Sequence, residues 1–279
     1  MERIERIAEI IKEKGINAKV LGVRKGDEVK IGISMGDGQI RPTIYPQLEG
    51  VTDEEAAEQV IRIYESQKAM EIKFNVDKFT NWEQVKENLI ICLRQPTSEE
   101  CTDIKRAWFD MEMYVRALVE TTLEDMTTVT VRPEHMKMWE VSEDELFNIA
   151  IENTKHRTII KTMKQAMLER APKEEREFLE ACIGPMPDNN YIVSNREMQY
   201  GASAFLDIET IKAIAEKHES DVYIIPSSIH EILLYVDNVG MTIDDINEMV
   251  RSTNESCVEP SERLSNHAYK YHRASRMIY

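Results

Sequence analysis

Apolar residues recur at helical spacing from the start of the chain. Ile4, Ile7, Ile10 and Ile11 fall on one face of a charged segment, which predicts an amphipathic helix ended by Gly15. Two short apolar runs follow, 18–24 and 29–33, joined through the turn signal Lys25-Gly26-Asp27, and 42–45 after Gly36-Asp37-Gly38 is a third strand candidate. Thr52 and Glu55 form a capping box opening a helix over 53–65, with Ala56, Val60, Ile63 and Tyr64 inward.

Further along, Asn81 is read as the cap of a helix over 82–93, with Val85, Leu89 and Cys92 inward. Residues 108–119 and 127–131 read as strands, and Pro133 opens another helix. Ser142 with Glu145 caps a helix over 143–153. The charged stretch 155–180 reads as helix broken at Ala171-Pro172, and 184–190 is a Gly/Pro/Asn-rich loop. After it come a strand (191–194), a helix (208–218), a strand (221–225) bounded by Pro226, and a helical turn (227–231). A strand (232–236), a helix (243–253) capped by Thr242 and terminal strands at 267–271 and 275–279 complete the chain. The elements do not alternate as βαβα. The expected class is α+β with mainly antiparallel sheets, in two sub-domains, 1–183 and 191–279, joined by the linker 184–190.

Composition narrows the function classes. The 279 residues are 42% hydrophobic, enough for a core without staples, and carry a formal net charge of −16. Such a charge disfavours direct binding to nucleic acid or to anionic lipid. Apolar runs fall short of the roughly 20 residues that cross a bilayer, and the chain opens on a charged amphipathic segment, so a cytoplasmic protein is expected. Cys92, Cys101, Cys182 and Cys257 have neither C-x-x-C pairing nor histidines at ligand spacing, so free thiols, no metal and no cofactor are expected.

Two segments concentrate reactive side chains. Ser227, Ser228, His230 and Glu231 place nucleophile, base and acid within five residues, but without a G-x-S-x-G elbow, and Ser228 with Glu231 also spells a capping box. The other is Leu264–Tyr271. There His267, Tyr269 and Tyr271 alternate, so a strand would line them along one face beside Asn266. Gly32, Gly36 and Gly38 lack the Lys-Ser/Thr and following helix of a phosphate loop and read as a turn.

Several segments in this order and spacing resemble the family catalogued as domain of unknown function 5688. They are Arg41-Pro42-Thr43-Ile44-Tyr45, Phe79-Thr80-Asn81-Trp82, Met138-Trp139-Glu140-Val141-Ser142, Tyr223-Ile224-Ile225-Pro226-Ser227-Ser228-Ile229-His230-Glu231 and Leu264-Ser265-Asn266-His267-Ala268-Tyr269-Lys270-Tyr271. The resemblance implies a source among Gram-positive gut anaerobes and their mobile elements. It lends no activity, cofactor or catalytic residue. The family usually carries Asp-His-Val where this chain has Asn266-His267-Ala268, which weakens an acid role at that position.

The leading expectation is a non-catalytic protein-binding or regulatory accessory factor with an unknown protein partner. The first alternative is a hydrolase using Ser227 or Ser228 as nucleophile, His230 or His267 as base and Glu231 as acid or orienter, with Asn266, Tyr269 and Tyr271 as binding residues. The second is an acidic decoy of a nucleic-acid-binding protein, which requires carboxylates on one continuous face.

Overall fold

The structure, a computed structural model, describes residues 2–25, 28–37, 42–69, 75–98, 101, 103–121, 126–184, 188–237 and 240–279. The chain divides into two units, Met1–Asn75 with Thr97–Cys101, and Val76–Pro96 with Thr102–Tyr279.

In the first unit, helix α1 (Glu2–Glu13) buries Ile4, Ile7 and Ile11. They pack on an antiparallel sheet of β1 (Ala18–Lys25), β2 (Glu28–Met35) and β3 (Thr43–Ile44), through Ile33, Met35 and Ile44. Gly15 has φ +83°, the left-handed value a helix C-terminus needs. Helix α2 (Asp53–Ala69) starts at the capping box as expected: Thr52 Oγ1 accepts from Glu55 N at 3.2 Å, and Glu55 Oε2 from Thr52 N at 2.8 Å. Its buried face is Ala56, Ala57 and Val60, whereas the expected core residue Ile63 is exposed. The turn residues 26, 27 and 38 lie outside the described residues.

The second unit opens with α3 (Val76–Thr80) and α4 (Trp82–Val85), extended by a 3-10 turn at Lys86–Asn88. The expected helix over 82–93 ends here. Leu89–Arg94 is instead strand β4, whose first five residues are all buried. A continuous apolar run has no period to separate a buried strand from a buried helix. Asn153 Nδ2 donates to both Lys86 O and Leu89 O, at 2.8 and 2.9 Å, fixing the switch. Strand β4 pairs with one edge of β6 (Met111–Thr121). The other edge of β6 is shared by β5 (Lys105–Trp108) and β7 (Met126–Thr130), all antiparallel.

Helix α5 (Pro133–Trp139) starts at its proline, and α6 (Glu143–Arg157) at Ser142, whose hydroxyl accepts from Glu145 N. The charged stretch expected to be helical holds a strand, β8 (Thr158–Thr162), before α7 (Met163–Arg170) and α8 (Arg176–Ile183). Thr158, Ile159 and Ile160 are β-branched, and pairing with β9 (Asn190–Asn195) outweighs their charged flanks. Strands β8 and β9 flank the segment 184–190 and lie in one sheet. That segment therefore falls inside one unit and does not separate two, and its residues 185–187 lie outside those described.

A 3-10 segment (Gly201–Leu206), α9 (Ile208–Lys217), β10 (Val222–Ser228), β11 (Glu231–Val236), α10 (Ile243–Cys257), β12 (Tyr269–His272) and β13 (Met277–Ile278) complete the unit. The larger sheet runs β13-β12-β10-β11-β9-β8 and is antiparallel throughout. The fold is therefore α+β with mainly antiparallel sheets. Both sheets of this unit contribute to one core: Leu89, Ile91 and Val115 meet Val193, Ile224 and Leu234 through Phe205 and Phe147. On the outer face Tyr223 and Ile225 pack with Ile246 and Val250 of α10. Among the described residues no helix is long and apolar enough to cross a membrane.

Candidate functional site

Residues 227–231 are not a helical turn. Ser227 and Ser228 end β10, Ile229 and His230 form the turn, and Glu231 begins β11. The Ser-x-x-Glu string that reads as a helix cap instead closes a hairpin with a register shift between Pro226 and Ser228. Ser228 Oγ accepts from the backbone N–H of His230 at 3.1 Å, so it braces the turn and does not meet an imidazole. The ring of His230 accepts at Nδ1 from Tyr200 N, 3.3 Å, which leaves the proton on Nε2, 3.4 Å from Glu262 Oε1. Glu231 lies 3.9 Å from Arg170. The acid beside His230 is therefore Glu262 and not Glu231.

His267 belongs to a different network. Its Nδ1 lies 3.2 Å from Asp110 Oδ2, and Ser265 Oγ donates to that same oxygen at 2.6 Å. Tyr269 donates its hydroxyl to Asp110 Oδ1. Burial alone would raise the Asp110 carboxyl, but donation from Ser265, Tyr269 and His267 outweighs it and holds the group below the usual carboxylate range. Burial and the Asp110 charge together push the Tyr269 phenol well above its ordinary value. Asp110 sits in the turn between β5 and β6, after Phe109, a non-glycine residue at φ +54° whose ring stacks on Phe205 at 5.4 Å. Asn266 Oδ1 accepts from Asn254 Nδ2 at 2.9 Å. Tyr269 and Tyr271 do share a face as the alternation implies, but both are buried in the core.

Among the described residues the hydrogen-bond partners of His230 and of His267 have no member in common. Nothing in the local spacing points to Asp110, Glu262 or Tyr200, because each reaches its partner from a distant strand or loop. The buried thiol of Cys92 is pushed up to about 12 by burial, against the pull of Arg116 and Arg94, and is held neutral. All four cysteines are free, Cys182 and Cys257 at the surface. Among the described residues no cluster of three or more His, Cys, Asp or Glu side chains has the arrangement to hold a metal.

One cavity of about 260 Å³ lies between α7 and the outer face of β8 and β9. Ile159, Ile192, Ala166 and Met198 give it apolar walls, and Lys161, Glu169 and Arg170 rim it. The loop closing one end holds two strained residues, Met198 at φ +53° and Tyr200 at φ +54°. Arg157–Glu197 (2.7 Å), reciprocal bonds between Asn195 and Gln199, and the Tyr200–His230 bond over-determine it. Gly201 completes the packing: a Cβ there would lie 2.1 Å from Ser194 Oγ and 2.7 Å from His230 O.

Comparison with known proteins returns no match among curated proteins and none among solved structures. One family model does match, over residues 4–273, and by that span the chain belongs to the family of unknown function DUF5688.

Proposed function

We propose that the chain is a non-catalytic protein-binding or regulatory module acting in the cytoplasm. The observation that carries this reading is where the candidate nucleophiles and bases spend their hydrogen bonds. Ser265 Oγ and His267 Nδ1 converge on one carboxylate oxygen, and Ser228 Oγ holds a backbone amide. The Ser-His-acid site expected of these candidates needs one of their hydroxyls on an imidazole and a carboxylate behind that imidazole, and the bonds of Ser228 and Ser265 go elsewhere. Four free thiols, two of them at the surface, fit a reducing compartment. The decoy reading draws less support, because acidic groups such as Asp53, Glu112 and Glu169 are paired with Arg or Lys.

The test is affinity purification of the tagged chain from its native host, with quantitative mass spectrometry. The expected result is a protein partner recovered in stoichiometric amount. Recovery of none, at expression levels that saturate the resin, overturns the reading.

A further inference from the structure

We infer that Arg116 of β6, with Tyr114, Thr128 and Tyr200 around it, is the centre of a binding site for a phosphate-type oxyanion, free or carried on a small monoester. The site stands whether or not the chain also binds a protein.

Strand pairing sets the neighbours. Glu112, Tyr114 and Arg116 alternate along β6 and so share one face of the sheet. Arg94 and Cys92 of β4, Lys105 of β5 and Thr130 of β7 stand opposite them on that face. Arg94 lies 2.7 Å from Asp103 and 2.6 Å from Glu112, and Lys105 lies 3.6 Å from Glu112. Arg116 meets no carboxylate among the described residues. Its Nε donates to Thr128 Oγ1 at 2.6 Å and its Nη2, weakly, to Thr128 O at 3.5 Å. Thr128 therefore takes the Nε edge of the planar fork and leaves the Nη1 end for another acceptor.

The surroundings call for an anion. Arg116 is half-buried, and a charge partly removed from water needs a counter-charge. The partly buried Arg3, Arg94, Arg106 and Arg157 each meet Asp or Glu. Arg116 faces neutral groups instead: the Tyr200 ring, its centroid 4.7 Å from Cζ, the Tyr114 phenol and the Cys92 thiol. Burial pushes the Cys92 thiol up to about 12 and raises the Tyr114 phenol as well, so both stay protonated at neutral pH. The Tyr200 ring offsets part of the charge, but it is held there at φ +54° by the Asn195–Gln199 and Tyr200–His230 bonds. Strain of that kind is kept where a side chain must stand in one place. Among the described residues the Tyr200 hydroxyl makes no hydrogen bond. Acceptor oxygens in several directions suit a fork end and phenol donors together, which favours a tetrahedral oxyanion over a planar carboxylate.

The test is the melting temperature of the full chain in inorganic phosphate, glycerol 3-phosphate and acetate, each against chloride at matched ionic strength. Amide and arginine Nε correlation spectra are recorded on the same samples. Phosphate is expected to raise the melting temperature saturably above chloride and to shift the Arg116 Nε, Thr128 and Tyr200 signals. An equal response to glycerol 3-phosphate assigns a monoester, and a response to phosphate alone assigns the free ion. Arg116→Gln removes the cation and is expected to abolish the rise. Tyr200→Phe keeps the ring over the guanidinium, removes the free donor, and is expected to weaken phosphate about tenfold. If Arg116→Gln fails to fold, Tyr200→Phe and the wild-type spectra decide. An equal rise in a folded Arg116→Gln, no rise above chloride, signals at Arg116 and Tyr200 that do not move, or unchanged affinity in Tyr200→Phe overturns the inference. So does acetate bound more tightly than phosphate. A protein partner recovered from the host bears on the binding-module reading and leaves these outcomes unaffected.

Discussion

Asp110 and His267 stand 157 positions apart in sequence, and their side chains meet at 3.2 Å. The carboxylate also takes the hydroxyls of Ser265 and Tyr269, so one turn of the smaller sheet is tied to the segment entering β12. Asp110→Asn keeps the shape but removes the charge, and is expected to lower unfolding stability by about 1–2 kcal/mol, given that the pair is partly exposed. Chemical denaturation measures it.

The same group sets an acid limit. Its carboxyl is lowered in the folded state, so its contribution is fully present above the unfolded carboxylate range and is lost as pH falls through the lower folded value. The stability gap between wild type and Asp110→Asn is therefore expected at pH 7 and is expected to narrow below about pH 4. Denaturation at a series of acid pH values reads it directly.

His218 acts higher on the pH scale. Its Nε2 lies 2.6 Å from Tyr191 OH, which also accepts from Lys217 Nζ at 2.9 Å. Burial, and then the Lys217 charge, lower the imidazole, so the folded state favours the neutral ring. Its contribution is present above an unfolded value of about 6.5 and falls away as pH drops below it. Wild type is expected to lose stability between pH 7 and pH 5 by more than His218→Gln does, as read by melting temperature.

Gly201 has no room for a side chain. An alanine Cβ meets a hydroxyl at 2.1 Å and two backbone atoms, Asn195 N and His230 O, both at 2.7 Å. The hydroxyl can rotate away, but the backbone atoms have to move. Gly201→Ala is expected to cost about 2–3 kcal/mol, and the cross-peaks of Asn195–Tyr200 are expected to shift in an amide correlation spectrum.

Local signals in the sequence were reliable where the structure is local. The caps at Thr52, Ser142 and Thr242 sit where the residue types place them, because a cap needs only three or four residues. Leu89–Leu93 was not legible as a strand because burial on both sides erases the period. Thr158–Thr162 was hidden by the charged helices on either side of it. Ser228 and Glu231 show one string serving two structures: their spacing suits a cap, and the pairing of β10 with β11 makes it a hairpin. The candidate chemistry failed to assemble for a related reason. The acids that meet His230 and His267 come from Glu262 and Asp110, and no short-range spacing encodes those meetings.

The hydroxyls of Ser227, Ser228 and Ser265 are expected to be inert as nucleophiles. Exposure of the folded chain to a fluorophosphonate probe, followed by intact-mass and peptide mass spectrometry, tests it most directly. An unchanged mass is expected after an incubation that fully labels a control serine hydrolase. A stoichiometric phosphonyl adduct on any of these three serines contradicts it.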